Sequence, residues 1–141
     1  MQSEYIASVG ALIYAKNTGR FLFLLRSNSS YAGMWGLVGG KIDANETSKQ
    51  ALIREINEEI GIRLSDTKII PVDLFTSTNK KFMYNTYLVI LEEEFLPTLN
   101  NEHSGYCWCT LTSYPKPLHP GVYGTMKIEA IQQKIETILS L

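Results

Sequence analysis

Three glutamates in one short segment are the residues of this sequence with the clearest capacity for chemistry. Glu58 and Glu59 follow Glu55 by three and four residues, so on a helix all three carboxylates lie on one face within one turn. Like charges at this spacing destabilise a helix, and more so in a partly dry cleft. Mg²⁺ or Mn²⁺ would resolve the conflict, because these cations bind carboxylates together with substrate phosphates. The alternative is a solvated acidic face, which is common on exposed helices.

The residues around these glutamates predict the helix that would position them. Thr47 and Gln50 stand three residues apart in the order of a capping box. Gly61 is a typical helix stop. Apolar residues recur every four positions and form a separate stripe for the core, at Leu52, Ile56 and Ile60. We therefore expect a helix over residues 47–60, with one face packed and another face acidic.

A longer pattern surrounds the helix and favours the cation site over the solvated face. Residues 40–62 satisfy G-x5-E-x7-R-E-U-x-E-E-x-G-U, in which U is a bulky aliphatic residue. The fixed positions are Gly40, Glu46, Arg54, Glu55, Glu58, Glu59 and Gly61. In this pattern the chain resembles the Nudix hydrolases, whose signature box it matches completely. Val38 stands where many members have proline, and Asp43 where many have glutamate; neither is a box position.

The resemblance implies a metal-dependent pyrophosphohydrolase that cleaves a nucleoside diphosphate linked to a group X. By this resemblance Glu55, Glu58 and Glu59 hold Mg²⁺, with Mn²⁺ as the alternative, and the Gly39 carbonyl is a further ligand. Arg54 would orient the carboxylates, and it lies four residues from Glu58, within reach of a charge-assisted hydrogen bond. Glu46 would have a structural role, reaching the helix or Arg54.

A general base must deprotonate the attacking water, and two residues are candidates. Glu55 is the candidate within the box. Glu102 opens a segment, residues 102–108, that resembles the part of the chain in which many relatives supply an extra catalytic or metal-binding carboxylate. The alternative for Glu102 is a loop charge with no catalytic role.

Substrate contacts are expected from the segments that flank the box. Arg26 ends a predicted strand and could clamp a phosphate with its forked guanidinium, although a surface charge is the alternative. Gly40 and Lys41 belong to the loop that would approach the substrate. Trp35 and Trp108 could stack on a nucleobase, but packing in the core is the favoured interpretation. For His119, a loop histidine is favoured over an acid or base.

The rest of the chain predicts an α/β fold, and the resemblance makes it a Nudix-type α/β/α sandwich with a mixed sheet. Strands are expected at 6–15, 20–26, 35–38, 68–76, 82–92 and 106–111. The proline-rich stretch 114–121 is expected to be a loop. Residues 123–140 are expected to form one amphipathic C-terminal helix. With 141 residues, a single domain over 1–141 is expected.

Composition and charge exclude several classes of protein. Apolar residues make up 45% of the chain, which is enough for a core and excludes a disordered chain. A net charge of −1 gives no general field for nucleic acid or an anionic membrane. The longest apolar runs, 21–25 and 87–91, are too short to span a bilayer. Cys107 and Cys109 are expected to be reduced thiols, and the protein is expected to be cytoplasmic.

The substrate stays open between two groups of compounds. Compact size and the loop at residues 39–41 resemble hydrolases of nucleoside triphosphates. Residues 102–108 resemble members that act on nucleotide sugars, with ADP-ribose and dinucleotides as related options. A catalytically silent domain, serving as a nucleotide sensor or a protein-interaction module, is the alternative to an enzyme. Dimers are common in the family, so a homodimer is an open alternative to a monomer.

Overall fold

The computed structural model describes residues 6–27, 30–65 and 67–141. Its strands are β1 (Ile6–Ala15), β2 (Arg20–Arg26), β3 (Trp35–Gly36), β4 (Val38–Lys41), β5 (Lys68–Thr76), β6 (Phe82–Leu91) and β7 (His103–Cys109). Its helices are α1 (Ser48–Ile60), α2 (Pro120–Met126) and α3 (Glu129–Leu139). None of the helices in these ranges is long and apolar enough to cross a bilayer.

The strands form one mixed sheet in which β1 is central. Its order is β3-β2-β1-β6-β5, while β4 also pairs with β1 and β7 also pairs with β2. β1 runs parallel to β6 and antiparallel to β2 and β4. Its first half pairs with β4 and its last residues pair with β2. This division brings the paired glycines of β4 to the middle of the sheet. The mixture of parallel and antiparallel strands confirms the expected fold class.

Helices cover both faces of the sheet. α1 packs on one face through a core that joins helix and strand residues, among them Val9, Val38, Leu52, Ile56 and Ile60. α2 and α3 cover the other face through a second core, which includes Leu12, Phe23, Val122, Ile131 and Ile135. The three layers confirm the α/β/α sandwich.

The local signals of α1 act as expected. The Thr47 side chain accepts a hydrogen bond from the Gln50 backbone N–H, and the Gln50 side chain accepts one from the Thr47 backbone, which completes the capping box. Gly61 ends the helix in the left-handed conformation, with φ of 76°. Both ends of α1 therefore follow from nearby residues.

The C-terminal segment is two helices rather than one. α2 already begins at Pro120, inside the expected loop, because the His119 side chain caps it and proline suits the first helical turn. Buried residues recur four apart within each helix, but Met126 and Ile131 are five apart. In one continuous helix this step would rotate the apolar stripe by about 140°. The break, at which Ile128 is extended, returns the second stripe to the sheet.

Two predicted strands also differ at their ends. β7 begins at His103 and ends at Cys109, and it is therefore displaced towards the N-terminus from the expected 106–111. Its partner β2 sets this boundary, because the pairing continues past a bulge at Leu25 to join Arg26 with His103. The expected strand 35–38 is divided into β3 and β4, and β4 continues through both glycines to Lys41.

Candidate active site

The three glutamates of α1 lie in different surroundings. Glu59 is 3% exposed and Glu55 is 9% exposed, whereas the Glu58 side chain is 52% exposed. A solvated acidic face is therefore wrong for Glu55 and Glu59, which are buried where the helix meets the sheet. Only Glu58 has the exposure that a solvated face would require.

Glu59 is joined to the first of the paired glycines. Its Oε1 accepts a hydrogen bond of 3.0 Å from the Gly39 backbone N–H. Burial raises the pKa of Glu59 to about 9, and the neighbouring Glu55 carboxyl adds to the rise. A carboxyl in this setting is held in its neutral form unless positive charge compensates it. The position is therefore one that a bound cation would change strongly.

Glu55 is packed against the second of the paired glycines. A β-carbon built on Gly40 would lie 2.5 Å from Glu55 Oε1, so only glycine leaves room for this carboxyl. Burial raises the pKa of Glu55, while hydrogen bonds to Glu59 and Arg54 act in the opposite direction. The paired glycines of the sequence thus have separate tasks, because Gly39 donates to Glu59 and Gly40 makes space for Glu55.

A Gly40→Ala substitution tests this packing. The added methyl would push the Glu55 carboxyl aside, and because that carboxyl ends a flexible side chain, the fold should survive. We expect turnover to fall by at least about tenfold with a change in melting temperature of only a few degrees. Gly105→Ala is the matched control, since its β-carbon would meet its nearest neighbours at an ordinary 3.6 Å. Equal turnover in the two variants would contradict the assignment.

Arg54 gathers the acidic residues of the motif around one guanidinium. It binds Glu46 through two hydrogen bonds, Nε to Oε2 at 2.7 Å and Nη2 to Oε1 at 3.0 Å. Nη1 donates to Glu55 at 2.9 Å and to Glu58 Oε2 at 3.3 Å, while Nη2 also donates to the Lys41 carbonyl. These contacts agree with the expected Arg54–Glu58 hydrogen bond and with Glu46 reaching Arg54. The arginine ties α1 to the end of β4.

The donor set of this region fits a hard divalent cation. Carboxylate oxygens come from α1, and a backbone carbonyl is available from β4. Over the described ranges, no three acidic, histidine or cysteine side chains are grouped closely enough to hold a metal ion by themselves. Mg²⁺ characteristically uses one or two carboxylates, several waters and substrate phosphates, so a group of three protein ligands is not required. The fit rests on two adjacent buried carboxyls, of which Glu55 pairs with the Arg54 guanidinium, whereas Glu59 accepts from the uncharged Gly39 N–H.

Glu102 immediately precedes β7 and lies close enough to Glu59 for its charge to act on that carboxyl. It is exposed, its backbone N–H and carboxylate both bond Asn100, and its charge contributes to the raised pKa of Glu59. The fold therefore brings the predicted Glu102 towards the box glutamates, although 43 residues separate it from Glu59 in the chain.

A cavity of about 770 Å³ lies between the sheet and α2. Arg26, Gly40 and Lys41, the three predicted substrate-binding residues, all line it. Gly39 also lines it, so β4, the strand that contacts Glu55 and Glu59 of α1, forms one wall of the cavity. The fold thus joins a basic, glycine-lined region to the acidic helix.

The other end of the cavity has residues that the sequence analysis did not single out. Three aromatic rings there form a chain, with centroids 6.3 Å apart for Phe75 and Phe82 and 6.4 Å apart for Phe82 and Tyr84. Asp73 lines the same region. The one sequence signal for this wall is Pro71, since proline inside a strand often marks a bulge.

The surroundings of the two tryptophans and of His119 decide between packing and function for these side chains. Both tryptophans pack against the cores, and Trp108 Nε1 donates to the Phe95 carbonyl, which confirms the packing interpretation. His119 has a more specific place than a loop histidine. Its Nδ1 accepts a hydrogen bond from the Gly121 backbone N–H, and it lines the cavity. Its ring packs at a tilt of 58° against the Tyr31 ring, with the two centroids 4.3 Å apart. Burial and Arg26 lower the pKa of His119, which favours this neutral acceptor.

Similar proteins support the chemistry of this site. The profile of the NUDIX domain matches residues 4–127. The chain is 32% identical over 123 residues to the dihydroneopterin triphosphate diphosphatase of Haemophilus influenzae, covering 77% of this chain and 76% of that protein. It is 30% identical over 109 residues to the CTP pyrophosphohydrolase of Escherichia coli, covering 76% of this chain and 77% of that protein.

Solved structures share the fold. A MutT NUDIX hydrolase from Burkholderia pseudomallei superposes with a TM-score of 0.68 at 27% identity, over 93% of this chain and 98% of that one. A Caenorhabditis elegans Ap4A hydrolase superposes with a TM-score of 0.74 at 24% identity, over 95% and 99% of the two chains. The comparisons give no support to a catalytically silent domain. The chain belongs to the Nudix family, which generally uses a divalent metal, and it is a pyrophosphohydrolase that cleaves acid anhydrides in phosphorus-containing compounds.

Proposed function

We propose that this enzyme hydrolyses a nucleoside triphosphate, or a closely similar triphosphate, to a monophosphate and pyrophosphate. The observation that carries the proposal is the pair of buried carboxyls, Glu55 and Glu59, packed on Gly39 and Gly40 where β4 forms a wall of the cavity. The relatives support a triphosphate, since two of them are a dihydroneopterin triphosphate diphosphatase and a CTP pyrophosphohydrolase.

Each acidic residue has a role in this proposal. Glu55, Glu58 and Glu59, with the Gly39 carbonyl, would hold Mg²⁺, and Mn²⁺ would serve as a substitute. When bound, the cation would neutralise the diphosphate oxygens and lower the pKa of a coordinated water. Arg54 acts as a positioning residue, because it holds Glu55 and Glu58 from the side away from the core.

The remaining residues would bind substrate and move the proton. Arg26 and Lys41 line the cavity with positive side chains and would pair with phosphate oxygens. Glu102 would take the proton of the attacking water, since Glu55 is already engaged by Arg54. As water adds to phosphorus, the anhydride P–O bond breaks and pyrophosphate leaves.

A substrate panel tests the proposal. Nucleoside triphosphates, UDP-glucose, ADP-ribose and diadenosine tetraphosphate are each incubated with the enzyme in ¹⁸O-labelled water, with Mg²⁺ or with EDTA. We expect triphosphates to give a monophosphate and pyrophosphate, and we expect EDTA to reduce turnover to background. The labelled product identifies the phosphorus attacked. Turnover confined to the sugar or dinucleotide arms, or unaffected by EDTA, would contradict the proposal.

Three further expectations complete the proposal. The chain would act as a single domain over residues 1–141, in the cytoplasm, where Cys107 and Cys109 would stay reduced. Both cysteines are free, in keeping with this environment. A homodimer remains an alternative to a monomer.

A further inference from the structure

A bulge in β5 determines which side chains face the cavity. Ile70 pairs with Leu88, but Asp73 pairs with Thr86, so β5 uses one residue more than β6 across this step. Side chains alternate along a strand, and an extra residue reverses the alternation. Asp73 and Phe75 are thereby turned to the face covered by α2, where they line the cavity. Without the bulge they would point to the face that carries α1.

Asp73 is an acidic residue without a partner in the part of the chain that the structure describes. The side chain is half-buried, and across the described parts of the chain it makes no hydrogen bond and no ion pair. Its neighbours on the cavity wall include Phe75, Phe82 and Tyr84, which are aromatic. Burying such an acceptor without a donor is unfavourable relative to its hydrated state, unless a ligand supplies the donor.

The distance from Gly39 to Asp73 is one that a nucleoside triphosphate can span. Gly39 pairs with Gly10, Gly10 with Thr86, and Thr86 with Asp73, so one row of residues crosses four strands. Three strand spacings of roughly 4.8 Å each separate its ends by about 14 Å. The phenol of Tyr84 lies over Gly10 in the middle of this row. A triphosphate seated at Gly39 would extend its ring towards Asp73 and the aromatic wall.

The chemistry of a carboxylate defines the ring it would select. An ionised carboxylate only accepts hydrogen bonds, and its two oxygens suit two adjacent N–H donors. The 2-amino-4-oxopyrimidine edge of guanine or of a pterin offers such a pair, a ring N–H beside an amino group. Uracil and thymine offer one N–H between two carbonyls. Adenine and cytosine place an unprotonated ring nitrogen beside the amino group, where it would repel the carboxylate.

We infer that Asp73 is a specificity-determining residue that selects substrates carrying a 2-amino-4-oxopyrimidine edge. This inference rests on the proposed triphosphate hydrolysis and names the ring that the triphosphate carries. Phe75 and Phe82 supply the apolar surface against which the ring packs. Selectivity would arise because a ring without both donors leaves the Asp73 carboxylate partly unpaired.

The sharpest test compares GTP with ITP, which differ only in the 2-amino group. For the wild-type enzyme we expect kcat/KM to be about 10- to 100-fold higher for GTP, because one charge-assisted hydrogen bond is lost with ITP. In Asp73→Asn, which has the same shape, the ratio should fall towards one, mainly through loss of activity on GTP. Glu136→Gln, an exposed carboxyl on α3, is the matched control and should keep the wild-type ratio.

The outcomes separate this inference from the proposed function. Metal-dependent hydrolysis of GTP and ITP at equal rates would overturn the role of Asp73 and leave triphosphate hydrolysis standing. If no triphosphate were hydrolysed, the proposed function would fall, and binding of GMP and IMP, measured by ligand-observed NMR, would decide the inference. Stronger binding of GMP that disappears in Asp73→Asn would support it, whereas equal binding, or binding of neither, would overturn it.

Discussion

A Glu58→Gln enzyme is expected to fold as the wild type does and to hydrolyse its substrate more than about 100-fold more slowly. Glu58 is the most exposed of the three glutamates, and Arg54 is its one hydrogen-bond partner in the described structure. Its removal therefore leaves no buried group unpaired, and stability should change little. Turnover should fall steeply, because replacing even the outer partners of metal ligands costs 10- to 100-fold and Glu58 would itself be a ligand.

The measurements are kcat as a function of Mg²⁺ concentration and the melting temperature in EDTA. Loss of a ligand should raise the Mg²⁺ concentration needed for half-maximal rate and lower the rate at saturation. Glu136→Gln removes a charge of the same sign from α3 and should match the wild type in both measurements. A Glu58→Gln enzyme with unimpaired turnover would remove this residue from the metal site.

The parts of the fold that sequence could predict are those set by neighbouring residues. α1 begins at a capping box and ends at Gly61, and each signal lies within a few residues of the boundary it sets. The acidic cluster follows from the same periodicity. The contact between Glu59 and Gly39 joins residues 20 positions apart, so the resemblance to a known family, rather than spacing, made Gly39 a candidate.

The parts that escaped prediction depend on contacts between distant segments. The break between α2 and α3 follows from the need of two apolar stripes to reach one sheet face, and periodicity within either helix does not reveal it. The cavity wall depends on the register of β5 against β6. A shift of one residue reverses every side chain beyond it, so Asp73 and Phe75 could not be assigned to the cavity from alternation alone.

Because of the Glu59 carboxyl, we expect the stability of the metal-free protein to depend strongly on pH. Its folded-state pKa is raised to about 9, above the ordinary value near 4.5 in the unfolded chain. Between these values the native state binds more protons than the unfolded state. The contribution of Glu59 protonation to the free energy of unfolding is therefore fully present below pH 4.5 and is lost as pH rises through 9. Without metal, the free energy of unfolding should fall by up to about 2 kcal/mol between pH 7 and 8.5.

Glu59→Gln should remove this pH dependence. Glutamine reproduces the neutral carboxyl, because its amide oxygen can still accept from the Gly39 N–H, and it never ionises. The measurement is urea unfolding in EDTA between pH 7 and 8.5. This range avoids the titration of His103 and His119, because the pKa values of both histidines are lowered. Over that range the variant should gain stability relative to the wild type as pH rises.

Metal should reverse the order of the two proteins. Ionised Glu59 is costly when alone and favourable beside a cation, so Mg²⁺ at pH 8.5 should stabilise the wild type and should stabilise Glu59→Gln much less. The same variant would then be the more stable protein in EDTA and the less active one in Mg²⁺. A wild-type stability that is flat across this pH range would show that the folded protein does not hold Glu59 in its neutral form. Equal stabilisation of both proteins by Mg²⁺ would show that Glu59 does not bind the cation. The ionised Glu59 carboxyl that destabilises the metal-free protein would thus contribute to metal affinity. The same side chain would then link the stability of the fold to metal-dependent hydrolysis.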